Sequence, residues 1–322
     1  MKHKIIPYLF LTLLISFSAC KKEKTAVVNP DLIIGYFPSS DMLPFCLAEQ
    51  KGYFDSLKVK IRFIRLESKT QRDTLYRKGK LDGCLLDLTD AIKMSADGNR
   101  IFPVMANEGC FYLIGNPDSS VLHIKDLNNK NVAVANYAAS HYLVDKLTQG
   151  LEYSKDDVNK PAIDDENIRL SMLLNSQIDA GIFRDPFATE AVRNKAIKLY
   201  SCNNLNLITT VTAFSQQALD KKKEHVQKLV KGYNRGVEYM NAHPVREWYR
   251  SVADSIGLPH WKAPVKIARY HQARVIPQAD ADSVTVWMKQ YELIPQKYIA
   301  DIIDRSILKE NLNTDSKQSV KK

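Results

Sequence analysis

The sequence predicts an α/β fold of two lobes in series followed by a helical C-terminal segment, and three observations carry that prediction. Between Leu32 and Gly98 short apolar runs alternate with helix-compatible segments. The same rhythm restarts near Asn131, and beyond Phe214 the apolar residues recur at three and four residue steps. A chain of 322 residues is long enough for two cores of ordinary domain size.

Each element follows from its own residues. "LIIGYF" (32–37) is a short apolar run suited to a buried parallel strand, and "DMLPFCLAEQKGYF" (41–54) reads as a helix with Asp41 as N-cap and Gly52 as its stop. "VKIRFIRL" (59–66) is a second strand, a polar helix runs to Gly79, and "DGCLLD" (82–87) with "TDAIKMSADG" (89–98) gives a third strand and helix. This order implies a mostly parallel sheet with helices on both faces. "IFPVMAN" (101–107) and "CFYLIG" (110–115) are strands, "NVAVAN" (131–136) opens the second unit, and "ASHYLVDKLTQG" (139–150) is its helix. Helices over 165–177 and 185–194, the latter with Pro186 in its first turn, alternate with strands over 179–183, 196–200 and 205–214. Leu219, Val226, Leu229, Val230, Tyr233, Val237 and Met240 form one apolar stripe over 219–240, and helices are expected at 245–257, 281–294 and 295–308. Such stripes are core. No repeat of solenoid length is visible.

The first residues have the layout of a secretory signal: Lys2 and Lys4, then apolar "IIPYLFLTLLISF" (5–17), then small Ser18 and Ala19 before Cys20. The 13-residue core is shorter than the ~20 residues of a membrane-spanning helix. "FSAC" resembles a bacterial lipobox, with Phe17 where Leu or Val is usual, so Cys20 is the expected lipidation site and 1–19 the removed peptide. "KKEKTAVVNP" supplies a polar tether over 20–30, and 311–322 is a polar tail. The net charge of +10 falls to +8 without Lys2 and Lys4. The lysines are scattered rather than interleaved with aromatics, which argues for a solvated surface and against nucleic acid. Cys46, Cys84, Cys110 and Cys202 are too widely spaced for a metal site or redox pair and are expected as unpaired core residues, although an oxidising compartment would permit disulfides.

Four fragments in order, "IIGYFPSS…LAEQKGYF", "GKLDGCLLDLTDAI", "IKDLNNKNVAVANYAASHYLVDKL" and "NSQIDAGIFRDPFATEAV", resemble the solute-binding proteins of ABC importers. The group they are most similar to includes nitrate, alkanesulfonate, taurine and thiamine-pyrimidine receptors. The resemblance spans most of residues 31–215. It implies a two-lobed periplasmic-binding-protein-like (type II) fold with two crossover strands, near 110–116 and 203–212. Lobe I would comprise 31–112 plus 208–310, and lobe II 113–207. It further implies a monomeric, membrane-anchored lipoprotein facing the periplasm, with a small-molecule solute, a membrane permease and the lipid surface as partners, and with no cofactor or metal.

In open α/β sheets small ligands lie beyond the carboxyl ends of strands, where helix N-termini present free amides. That rule selects Ser39, Ser40 and Asp41 after the first strand, Asp87 and Thr89 after the third, and Asn107 with Glu108 after "FPVMA". In the second unit it selects Asn136, Tyr137 and Ser140. Sulfonate-type relatives carry a Gly-Ser-Ser-like turn there, whereas this chain has Tyr137-Ala138-Ala139-Ser140. The loss of the small glycine and the entry of a ring favour a flat heteroaromatic solute of the thiamine-pyrimidine type over a sulfonate. Arg184 and Asp185 follow the strand at 179–183, where relatives carry Glu-Pro; Asp185 suits an amine or ring N–H, Arg184 an anion or Asp185 itself. Turn and capping roles compete with ligand roles at Ser39, Ser40, Asp41, Thr89 and Asp185. The alternative is an enzyme resembling thiamine-pyrimidine synthase on the same fold. Its dense cysteine motif is missing here, as are a Gly-x-Ser-x-Gly elbow and a phosphate-cradling glycine loop.

Overall fold

The computed structural model describes residues 29–118, 120–201, 207–258, 267 and 269–309. The expected signal peptide, Cys20, most of the tether, Cys202 and the polar tail lie outside the described residues.

Two sheets organise the chain. The first contains β1 (Leu32–Tyr36), β2 (Ile61–Arg65), β3 (Gly83–Asp87), β4 (Ile101–Ala106) and β9 (Thr210–Ser215), in the order β2-β1-β3-β9-β4. β1 pairs in parallel with β2 and β3, while β9 lies antiparallel between β3 and β4. The second contains β5 (Phe111–Gly115), β6 (Val132–Ala133), β7 (Ala180–Arg184) and β8 (Ile197–Ser201), in the order β6-β7-β5-β8, with β5 antiparallel to β7 and β8. The alternation of strand and helix thus yields mostly parallel sheets, each with one strand reversed. The two expected crossover strands each belong wholly to one sheet. The chain passes from the first sheet to the second through 107–110 and returns through 202–209, of which 207–209 are described.

Both faces of the first sheet are covered. One face packs Ile34, Phe45 and Phe214 against Val226, Tyr233 and Val252. These come from α1 (Leu43–Gln50), α9 (Lys223–Ala242) and α10 (Val245–Ile256), with the four-residue α2 (Tyr53–Ser56) and its Phe54 beside them. The other face packs Cys84 and Leu86 against Leu88 and Ile92 of α4 (Leu88–Ala96) and Val284, Trp287 and Met288 of α11 (Gln278–Gln290). The second sheet has its own core, in which Leu113, Ile182 and Phe183 meet Leu143 and Val144 of α5 (Ala139–Thr148), Leu173 of α6 (Glu166–Leu174) and Ala191 of α7 (Phe187–Arg193). Tyr142 of α5 is the exception: it turns away and packs with the α4–α11 core. Cys46 and Cys84 are buried free thiols, and buried Cys110 lies with its Sγ 3.0 Å from Ser201 Oγ.

Several expectations are corrected. The helix read over 41–54 is divided, with a tight turn at Ser40–Met42, then α1, then α2 beyond Gly52, which takes a left-handed φ of 67°. Asp41 is inside that turn and caps nothing; its carboxylate bonds to Thr210 instead. The stripe at 219–240 is shared between α8 (Gln216–Lys221) and α9, divided at Lys222. The helix expected over 295–308 is absent apart from a turn at 306–309. Buried Ala300 and Ile302 are two residues apart, an extended spacing, and Ile299 before them and Asp301 between them are exposed.

Two glycines of α9 explain how tightly α1 seats on it. A Cβ at Gly236 would collide with the carbonyl oxygen of Pro44, and one at Gly232 with the ring of Phe54. Backbone atoms cannot move aside as a side-chain tip does. Gly236→Ala is therefore expected to destabilise the protein by about 1–3 kcal/mol despite the better helix propensity of alanine. Urea denaturation checks this; an unchanged or raised midpoint would show that α1 and α9 can separate freely.

Candidate functional site

Strand direction brings the polar residues together. The carboxyl ends of β1, β3 and β4 and the start of the reversed β9 present Ser40, Asp41, Asp87, Glu108 and Thr210 at one end of the first sheet. The carboxyl end of β7 and the start of α5 present Arg184, Asp185 and Ala139 from the second. The two sets meet across a seam. Asp87 Oδ2 accepts from the Ala139 amide at 3.4 Å, and Asp87 Oδ1 lies 3.9 Å from Arg184 Nη1. A cavity of about 10 Å³ at this seam is lined by Ser40, Glu108, Cys110, Tyr112, Asp185 and Tyr270 among others.

The seam is rich in carboxylates. Asp41 is buried and its Oδ1 accepts from Thr210 Oγ1 at 3.1 Å. Gly109 lies against it so closely that a Cβ there would overlap the carboxylate, which is why glycine stands at that position. Burial pushes the Asp41 carboxyl up to about 6, with Arg184 and Thr210 opposing the shift and Asp87 and Glu108 adding to it. Burial likewise raises Asp87, against the pull of Arg184. Glu108 is held by His271 Nδ1 at 3.1 Å and Arg274 Nη2 at 3.3 Å. Arg184 is braced from behind: its amide donates to Glu166 Oε1 at 3.0 Å, its Nε is 3.9 Å from Glu166 Oε2, and its guanidinium stands 5.0 Å from the Phe111 ring centroid. Burial would lower the Arg184 pKa, but Glu166, Asp87 and Asp41 outweigh it and hold the charge more firmly. Behind Asp87, Asp90 receives Lys69 at 2.8 Å and Arg72 at 2.6 Å, which overcome burial and keep it ionised.

Not every residue selected by sequence reaches the seam in the same way. Ser40, Asp41, Asp87, Arg184 and Asp185 are brought together. Asn107 lies one layer back, accepting from Thr212 Oγ1 at 2.7 Å, and its buried Nδ2 has no hydrogen-bond partner among the described residues. Thr89 Oγ1 is buried in the same condition. Ser39 precedes the turn without a side-chain cap bond. Ser140 Oγ accepts from the Ala135 amide at 2.9 Å and the Asn136 amide donates to Asp164 Oδ1 at 2.8 Å, so both serve the turn before α5. Asp185 Oδ1 accepts from the Thr189 amide at 3.1 Å and Thr189 Oγ1 at 2.7 Å, the capping role for α7. Glu166, Thr210 and Gly109 were not selected from the sequence. Glu166 carried the signal of an acid in a helix's first turn, but nothing local pointed it at Arg184.

Tyr137 belongs to a second cluster. Its φ is +48° and its ring stacks on His141 at 5.4 Å and meets Tyr291 of the segment after α11 at 5.5 Å. His141 also contacts Trp287 at 5.4 Å. Beneath these rings buried Asp145 accepts from Trp287 Nε1 at 2.8 Å and Tyr291 OH at 2.6 Å, with Lys160 Nζ at 3.2 Å. Desolvation pushes His141 down to about 4, so it is neutral at pH 7. The cluster ties α5 to α11, and hence one sheet's helices to the other's. Among the described residues no group of His, Cys, Asp and Glu is placed to hold a metal ion.

The comparisons agree with this architecture. The family described as "NMT1/THI5 like" matches residues 39–247. The aliphatic sulphonate binding protein SsuA of Escherichia coli is similar in fold with a TM-score of 0.71 at 17% identity, over 84% of this chain and 90% of that one. The nitrate-binding protein NrtA of Synechocystis PCC 6803 gives 0.68 at 10% identity, over 88% of each chain. The desulfurization enzyme DSZB gives 0.60 at 14%, over 88% of this chain and 99% of that one. No curated protein matches the chain. At these identities the likeness establishes a two-lobed periplasmic-binding-protein-like fold.

The Asp41 carboxyl titrates near 3.8 when exposed and at about 6 when folded, so between those values the folded protein keeps a proton that the unfolded chain has released. Stability contributed by this group therefore falls as pH rises from about 4 to about 6 and stays low above. Asp41→Asn, which does not titrate, should gain on the wild type across that window by about 2–3 kcal/mol, at about 1.4 kcal/mol per pKa unit. Urea melts at pH 4 and pH 7 test this; a variant-to-wild-type difference that is the same at both would contradict the burial of an ionisable Asp41.

Proposed function

The chain belongs to the NMT1/THI5-like family, and from that premise we propose that it is the solute-binding protein of an ABC importer, closing its lobes on a small polar solute at the Asp41–Asp87–Arg184 seam. SsuA and NrtA, binding proteins by name, support this reading through their fold. Lobe I would comprise 31–112 with 208–310 and lobe II 113–207, and the pair would act as a monomer facing the periplasm and moored by lipidated Cys20. Opening and closing about the connections at 107–110 and 202–209 would be the working motion.

The observation that carries the choice of solute is the sign of the charge at the seam. Asp41 and Asp87 face it, while Arg184 between them is already flanked by Glu166. A sulfonate or nitrate entering there would confront carboxylates whose charge is disfavoured by burial. An amine or a protonated heteroaromatic ring would relieve them. A thiamine-pyrimidine type of solute, an aminopyrimidine whose ring nitrogens and amino group match carboxylates, fits better than an anion. Ser40 and Asp185 are the polar groups that would complete its contacts, with Thr89 and Asn107 behind them and Tyr137 the ring at its margin.

Calorimetric titration with 4-amino-2-methylpyrimidine and with taurine separates the two solutes. The pyrimidine should bind and close the lobes without being consumed. Asp87→Asn should weaken that binding about tenfold or more, the scale of a hydrogen bond to a charged group. Tighter binding of taurine would reverse the assignment of solute, and turnover of the pyrimidine would favour the enzyme reading.

A further inference from the structure

A cavity of about 350 Å³ lies between α5 and α11, and none of the seam residues lines it. Its volume is that of a small-molecule site. One wall is the ring of Tyr142 and the indole of Trp287, set edge to face at 5.4 Å, and Val286 of α11, 57% exposed, extends it. The charges at its edge are unequal. Asp145 is engaged by Trp287 and Tyr291 at Oδ2 and by the Lys160 charge at Oδ1. Lys155 donates to Tyr291 OH at 3.1 Å and pairs with Asp156 at 3.0 Å. Lys146 has no partner as close: its Nζ stands 5.8 Å from the Tyr142 ring centroid, donates to Gln149 Oε1 at 3.3 Å, and feels Asp280 only from beyond ion-pair distance.

We propose that this groove is a second ligand site, taking a small planar aromatic molecule that carries one negative charge. The ring lies against exposed Val286, whose apolar surface it removes from water, and reaches the edges of Trp287 and Tyr142, which are 5% and 2% exposed, while the anionic group meets Lys146. A cation of the same shape would face Lys146 and Lys155 together, and a neutral molecule would leave the Lys146 charge as it is. Lys146 comes from α5, which packs on the second sheet, and Trp287 and Val286 come from α11, which packs on the first. A ligand that needs both walls favours the arrangement in which the two are adjacent, and so couples this groove to the closure of the lobes. The site stands whether or not the seam takes the solute named above.

The test is a titration of the full mature chain, followed by tryptophan fluorescence and calorimetry into the millimolar range, with 2-naphthoate, 2-naphthamide and 2-naphthylmethylamine. 2-Naphthoate should bind about tenfold or more tightly than the other two. Lys146→Gln removes the cation from one wall, and Val286→Glu places a carboxylate on the other at an exposed position. Each should weaken 2-naphthoate by a similar factor while the melting temperature stays unchanged. No binding of 2-naphthoate by the wild type, equal binding of the three probes, or wild-type affinity in both variants would overturn the proposal.

Discussion

Arg184 is the interaction on which the seam depends. It sits at the last position of β7, so the second sheet sets its direction, and Glu166 holds both its amide and its guanidinium from behind. What remains of its charge is directed across the seam at Asp87 and, more remotely, at Asp41. Without it those acids would face each other in a poorly solvated space. The other basic groups near the seam are already engaged: Lys69 and Arg72 by Asp90, and Arg274 and His271 by Glu108. Cations are abundant in the sequence, yet those nearest the seam are already engaged, which is why the overall basic character of the chain says little about what it binds.

The order of strands and helices was legible because each element is written locally, in runs such as Leu32–Tyr36 and the stripe of α9. The carboxyl-end rule directed attention to Ser40, Asp41, Asp87, Arg184 and Asp185, which the fold brings to one seam. What the sequence hid was partnership at long range. Thr210 and Asp41 are 169 positions apart and nothing near either announces the other. Asp41 looked like a cap because aspartate before an apolar run usually is one; the tight turn at 40–42 redirected it inward. The segment after Pro295 looked helical by its apolar content, but buried Ala300 and Ile302 alternate with exposed Ile299 and Asp301, a pattern visible only once the partner surface is known.

Tyr137 joins the turn before α5 to the aromatic cluster beside it. It takes a left-handed φ of 48°, a conformation that glycine adopts most readily. The ring lies on His141 and Tyr291, joined to the cluster over Asp145. Substitution at that turn therefore links the margin of the seam to the contact between α5 and α11.

The placement of β9 has a consequence in time. It is inserted between β3 and β4, so the first sheet is not continuous until residues 210–215 have arrived, by which point every strand of the second sheet has already been made. During synthesis β4 waits without its partner while residues 111–201 complete a core of their own. The middle stretch of the chain, 111–201, is thus the first able to finish folding, and the lobe begun first is closed last.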